Sequence, residues 1–147
     1  VLLYAAAISL GVQMKDTGAA SWLATNFLAF LTPIGAENGV GLWVAISVLT
    51  TAVTNTMSNG AAVAVLGPFV LKVAVVAGES PIILGFITAI SSAFAYLTVV
   101  GTPACTIVYA SGYLKATDFL KVGIRMAVVS TIVMLLVATL YWPLVGI

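Results

Sequence analysis

The stretch Thr54-Asn55-Thr56-Met57-Ser58-Asn59-Gly60 sits inside a charge-free run, residues 38–71, that is otherwise almost wholly apolar. That run is 34 residues long. One membrane crossing takes about 20 apolar residues, and two crossings with a turn take roughly 42 or more. The run is too long for one and too short for two. Its polar middle therefore predicts a turn at membrane depth, which makes residues 38–78 a re-entrant helical hairpin. Backbone that leaves the helix inside a membrane is tolerated only where protein or a wet cavity satisfies it. The turn thus marks a candidate site as well as a fold.

Working outward, the run 80–114 repeats the problem at 35 residues, and Gly101-Thr102-Pro103 interrupts it. Here the expectation is a broken helix, running from about Pro81 to Val99-Val100-Gly101 and resuming through Ile107-Val108-Tyr109. Residues 126–147 fit one plain spanning helix, with Tyr141 and Trp142 as an interfacial pair before the breaker Pro143. Before it, residues 115–125 hold Lys115, Asp118, Lys121 and Arg125 and read as a cytoplasmic amphipathic segment. Residues 1–37 read as a helix plus a short segment that lies at the interface or crosses obliquely. The chain opens within an apolar stretch, Val1 to Gly11, with no initiator Met and no cleavage-type sequence, and reads as a fragment beginning inside a helix. The basic cluster at 115–125 puts that segment in the cytoplasm and the mouth of the hairpin outside.

Composition agrees with a membrane and excludes much chemistry. Of 147 residues, 63% are hydrophobic and 6% charged, where a soluble domain carries roughly 25% charged. The class is all-α, a polytopic membrane protein. There is no His, one Cys and only four acids, so zinc chemistry, disulfide scaffolds and paired-carboxylate catalysis lack their residues. The reading is therefore of a non-enzyme. A net charge of +1 gives no footprint for nucleic acid. Asp16, Glu37, Glu79 and Asp118 sit at predicted membrane edges, where they are expected to be solvated, and Lys72 is expected to snorkel. No carboxylate remains for an intramembrane proton relay.

Helix ends must then supply the chemistry. An arm from about Gly41 to Val53 leaves the carbonyls of Thr54 to Met57 without intrahelical partners, a setting for a hard cation such as sodium. The arm that starts near Gly60 presents unpaired N–H groups, with Ser58 and Asn59 as candidate N-caps, a setting for an anion. At the second break Thr102 reads as an N-cap and Pro103 as the first helical residue. Half-helices whose ends meet at the midplane are how many secondary transporters bind ion and substrate.

At this point the residues match a known family. Met57-Ser58-Asn59-Gly60-Ala61-Ala62-Val63-Ala64-Val65-Leu66-Gly67-Pro68 resembles the Ser-Asn-Thr signature of the divalent anion/sodium symporters, with Pro68 at the family's spacing from Ser58. Val100-Gly101-Thr102-Pro103 resembles that family's second break, and Ile107 to Lys115 with Asp118-Phe119 its downstream segment. Lys15-Asp16-Thr17-Gly18 is similar to its upstream turn. The likeness runs from about residue 5 to 147.

The resemblance implies a fold of two inverted repeats, this chain being most of the C-terminal one. It implies a sodium site built from the carbonyls of Thr54, Met57 and Gly101 with the Asn59 side-chain oxygen. It implies a substrate site at Ser58, Asn59 and Gly60, with Thr102 and Pro103 at the second break. The partners implied are a small divalent anion such as a dicarboxylate or sulfate, the lipid bilayer, the N-terminal repeat of the same protein, and a second copy in a homodimer working by alternating access. Two departures stand out. Gly60 replaces the usual Thr, and Ala104-Cys105 replaces Pro-Asn. Thr54-Asn55-Thr56 offers an alternative register for the motif, which the spacing to Pro68 disfavours. A carrier of the arsenite or citrate type, or a proton-coupled anion carrier, on a related scaffold is the second reading. A non-transporting helical membrane domain is the third, and it requires continuous helices through 54–60 and 99–103.

Overall fold

The computed structural model describes residues 2–145, and all regular structure there is helical. The elements are α1 (Leu2–Asp16), α2 (Ala19–Leu31), a 3-10 turn (Thr32–Ile34), α3 (Gly39–Thr54), α4 (Asn59–Ala77), α5 (Pro81–Ser91), α6 (Pro103–Ala110), α7 (Ala116–Leu140) and the single turn α8 (Trp142–Val145).

The core is the three-helix unit α3–α4–α5. Leu42 and Ile46 from α3, Val70 and Val73 from α4, and Leu84 and Ile87 from α5 are fully buried. On α5 the buried positions Leu84, Ile87, Thr88 and Ser91 follow the spacing of one helix face. Along α3 the buried stripe changes character, from Leu42 and Ile46 to Ser47, Thr50, Thr51 and Thr54. On α5 it changes the same way, ending in Thr88 and Ser91. The interior thus turns from apolar to hydroxyl-lined toward one end. Ser91 Oγ and Ser47 Oγ lie 2.8 Å apart there, an interhelical bond of the kind that glues membrane helices.

The outside is inverted in chemistry. Val129, Ile132, Val133 and Leu136 on α7 are each more than half exposed, as are Val75 on α4 and Ile82 on α5. Such a surface is stable only in lipid or under another apolar partner. Helix α4, and α7 continued to Leu144, are long and apolar enough to cross a membrane, whereas α2 with its 3-10 turn meets α3 at a 119° bend. The chain is an all-α polytopic membrane protein.

Helices α3 and α4 form an antiparallel hairpin. Their far ends are tied where Glu79 Oε1 accepts the Gly39 N–H at 2.7 Å. Glu79 is thus a part-buried staple between the two arms rather than a solvated edge residue. It places negative charge at the N-terminus of α3, where the helix dipole favours it. Gly78 ends α4 at φ 73°, a left-handed cap that a side chain would strain. The hairpin backs onto α1 and α2. Gly11 meets Pro68 so closely that a Cβ would lie 2.6 Å from the proline ring.

Two boundaries and one side chain depart from the sequence reading. Helix α5 stops at Ser91 instead of near Val99–Gly101, and residues 92–102 are not α-helical. The cause is side-chain competition: Ser92 Oγ bonds back to the Ala89 carbonyl, and hydrogen bonds from the hairpin capture the backbone beyond it. Residues 115–125 are not a separate segment, because α7 runs unbroken from Ala116 to Leu140. Asp118 accepts the Lys115 N–H at 2.9 Å and starts the helix there, and nothing at Arg125–Met126 interrupts it. Trp142, expected in the interfacial belt, is 8% exposed and packs against Phe86 with ring centroids 5.9 Å apart.

Candidate functional site

Four helix ends meet at the closed end of the hairpin. Helix α3 arrives with its C-terminus at Thr54, and α5 with its C-terminus at Ser91. Helix α4 departs from Asn59 and α6 from Pro103. Two ends carry unpaired carbonyls and partial negative charge; two carry unpaired N–H groups and partial positive charge.

Ser58 caps α4, its Oγ accepting the Ala61 N–H at 3.3 Å. Thr102 caps α6, its Oγ1 accepting the Cys105 N–H at 3.3 Å. Both capping residues have extended backbone, and Pro103 fills the first helical position, where its missing N–H leaves no bond unmade. The two caps face one cleft of ≈ 390 Å³. It is lined by Ser58, Asn59, Gly60 and Ala61 on one wall and by Gly101, Thr102 and Pro103 on the other. Residues forty positions apart in the chain thus form a single wall-to-wall site.

A cation-suited spot lies just behind the first wall. Thr54 Oγ1 is 2.9 Å from Asn59 Oδ1 and 2.7 Å from the Ser92 carbonyl oxygen. One hydroxyl proton serves two acceptors, so three oxygens converge with a surplus of lone pairs. Thr54 itself is fully buried. Gly101 is buried too, held against Ala95 so that a Cβ would fall 2.8 Å from the Ala95 carbonyl.

Of the residues singled out from sequence, Ser58, Asn59, Gly60, Gly101, Thr102 and Pro103 share the cleft, and Thr54 stands one hydrogen bond behind it. Met57 lies in the connection, exposed, and is not part of the cleft wall. The alternative register resolves into a different role. Asn55 is 5% exposed and turned away from the cleft, into the backbone of residues 94–98. Sequence reasoning missed its partners, Phe94, Leu97 and Thr98, and missed Ser92. A signal for Asn55 existed: it follows Thr51 by four and Ser47 by eight, so it continues the buried face of α3.

Both breaks interrupt the helices that the anchoring-domain reading requires to be continuous. Comparison with known proteins agrees. All 147 residues match the family described as the sodium:sulfate symporter transmembrane region. The chain belongs to that family. It is an integral membrane protein of the plasma membrane.

Among its relatives are an uncharacterized transporter of Synechocystis, 29% identical over 90% of this chain, and the sodium-dependent high-affinity dicarboxylate transporter 3 of Caenorhabditis elegans, 31% identical over 98%. A third is the sodium-dependent dicarboxylate transporter SdcS of Staphylococcus aureus, 24% identical over 99%. The chain spans 21%, 25% and 27% of the lengths of these three relatives.

Proposed function

We propose that this chain is one repeat of a secondary active transporter, not an enzyme, that couples sodium entry to uptake of a divalent anion, a dicarboxylate or sulfate, by alternating access. The observation that carries this reading is the single cleft on which two capped helix N-termini converge, with the C-termini of α3 and α5 immediately behind. An anion fits the first feature and a cation the second. The anion would meet Ser58, Asn59 and the backbone at Gly60 from one wall, and Thr102 and the α6 terminus after Pro103 from the other. Sodium, as co-transported cargo, would take the Asn59 side-chain oxygen with the carbonyls of Thr54, Met57 and Gly101. Because the two spots adjoin and share Asn59, the opposite charges would attract each other and each ligand would favour the other, which is the thermodynamic basis of coupling.

The hairpin would be re-entrant and open to the outside, its hydroxyl-lined end at membrane depth. Helix α6 has no buried residue and lies open on the far side of the cleft, which supports a second repeat completing the site. Pairing of two such chains as a homodimer belongs to the same reading. Sodium-driven uptake of labelled succinate and sulfate by the full-length protein in proteoliposomes tests it. Uptake indifferent to a sodium gradient rejects coupling. Because Gly60 brings no hydroxyl to the cleft, citrate and arsenite belong in the same screen, and uptake of either under a proton gradient would favour the second carrier reading.

A further inference from the structure

The two walls of the cleft are joined by a side chain that neither the ion nor the anion needs to touch. Asn55 Nδ2 donates to the Thr51 carbonyl at 2.7 Å and to the Phe94 carbonyl at 3.2 Å. Its Oδ1 accepts the Leu97 N–H at 2.8 Å. Its main-chain carbonyl accepts the Thr98 hydroxyl at 2.8 Å. A buried amide thus uses both N–H groups and its oxygen, and three of the four bonds cross from the hairpin to residues 94–98.

Those residues have left the helix, so their backbone groups lack the ladder partners a helix would give them. Asn55 stands in for that ladder. It sits three positions before Ser58, and Thr98 sits three before Gly101, so the bridge fastens one wall to the other at equal distance from the cleft. The chemistry demands an amide. Aspartate cannot donate to the two carbonyls, alanine leaves the Phe94 carbonyl and the Leu97 N–H without this partner, and a hydroxyl has one proton where two are needed.

We infer that Asn55 is a positioning residue of the cleft: it locks the unwound segment 94–98 to the hairpin tip, so that both walls move as one body and the oxygens behind them keep their spacing. The inference rests on reading that cleft as the sodium and anion site.

The test uses the full-length protein, purified and reconstituted, with Asn55→Ala, Asn55→Asp and the milder Thr98→Val. Wild-type uptake measured against sodium comes first. With Asn55→Ala or Asn55→Asp, the sodium half-saturation rises about tenfold or more, the scale set by a lost buried hydrogen-bond pair, while Thr98→Val gives about two- to fivefold. Half-saturation for the anion at saturating sodium moves less than that for sodium. Hydrogen exchange at the amides of 94–98 speeds up by a similar factor and stays unchanged at 62–66.

Folded Asn55 variants that lower only the maximal rate, with wild-type sodium half-saturation and wild-type exchange at 94–98, overturn the inference. If both Asn55 variants fail to fold, Thr98→Val decides by the same two readouts. If wild-type uptake ignores sodium, the coupling reading falls. The bridge is then judged by exchange alone: faster exchange at 94–98 upholds it, and no change overturns it.

Discussion

The two breaks in the helices look alike in sequence and are built differently. The hairpin tip is a short connection, residues 55–58, between helices that cap themselves: Ser58 serves α4, and the Asn55 N–H returns to the Thr51 carbonyl at 3.3 Å. Helix α3 meanwhile packs along α4 and α5 and is tied by Glu79 at its other end. The second break runs through residues 92–102 and, besides short turns of its own and the Thr102 cap, takes bonds from elsewhere. Asn55 and Thr54 come to it from the hairpin, and Gly123 of α7 presses on its far side, so close to the Tyr96 carbonyl that no Cβ fits. The tip is locally determined; the second break is held by its surroundings. On the proposed reading, a site that depends on both has a rigid wall and a dependent one, and coupling between sodium and anion would pass through the bonds between them.

That contrast can be broken in order of severity. Asn59→Ala removes the one cleft side chain placed between the anion-suited and cation-suited regions. Sodium-dependent uptake by the full-length protein should fall by about 100-fold, as expected where a hydrogen bond to a charged group worth roughly 1.5–3 kcal/mol is lost together with a cation ligand. Uptake within threefold of wild type would remove Asn59 from the site.

Gly123→Ala attacks the dependent wall from outside the cleft. A Cβ has only the Tyr96 and Leu97 backbone to occupy, so the unwound segment must shift. Overpacking of this kind costs about 1–3 kcal/mol. Thermal unfolding in detergent should move down by several degrees, with exchange rising at 94–98 before it rises at the tip. Equal rises at both breaks would mean that the walls are not separately supported.

Ser58→Ala and Thr102→Ala compare the two caps directly. Each should cost about 1 kcal/mol, the usual worth of an N-cap. The difference lies in spread: loss of Ser58 should stay within the first turn of α4, whereas fraying of the first turn of α6 on loss of the Thr102 cap should also loosen residue 99, because Thr106 in that turn bonds the Val99 carbonyl through its Oγ1. Amide exchange along both segments reads this out. Smallest of all, Glu79→Gln keeps the bond to Gly39 but drops the charge at the α3 terminus, with an expected effect of about 0.3–1 kcal/mol on stability. Uptake should stay unchanged, and a large loss would show that the open end of the hairpin takes part in transport.

Much of this was legible beforehand because it is local. A charge-free run of awkward length must turn somewhere, and Thr54 to Gly60 is where its residues allow a turn. Ser before a helix and Thr-Pro at a helix start have few other meanings, and both cap helices at the cleft. The extent of the second break was not legible. Ser91-Ser92-Ala93-Phe94-Ala95-Tyr96 carries no Gly or Pro and would continue α5 if left alone. Likewise Glu79 and Trp142 looked like edge residues because their partners, Gly39 and Phe86, are distant in the chain.

By itself, then, the sequence determined that this chain lives in lipid, that any ion binding would fall to carbonyls, amides and hydroxyls because His is absent and the four acids sit near the ends of the charge-free runs, and where helices end by their own caps. Tertiary structure decided the rest: that the two breaks share one cleft, that α5 gives up its helix at Ser91, and that Asn55 faces backbone and not ligand. The physical reason is one of range. Caps and lengths are set within a few residues, while a backbone segment with no ladder of its own takes its shape from whichever side chains reach it across the fold.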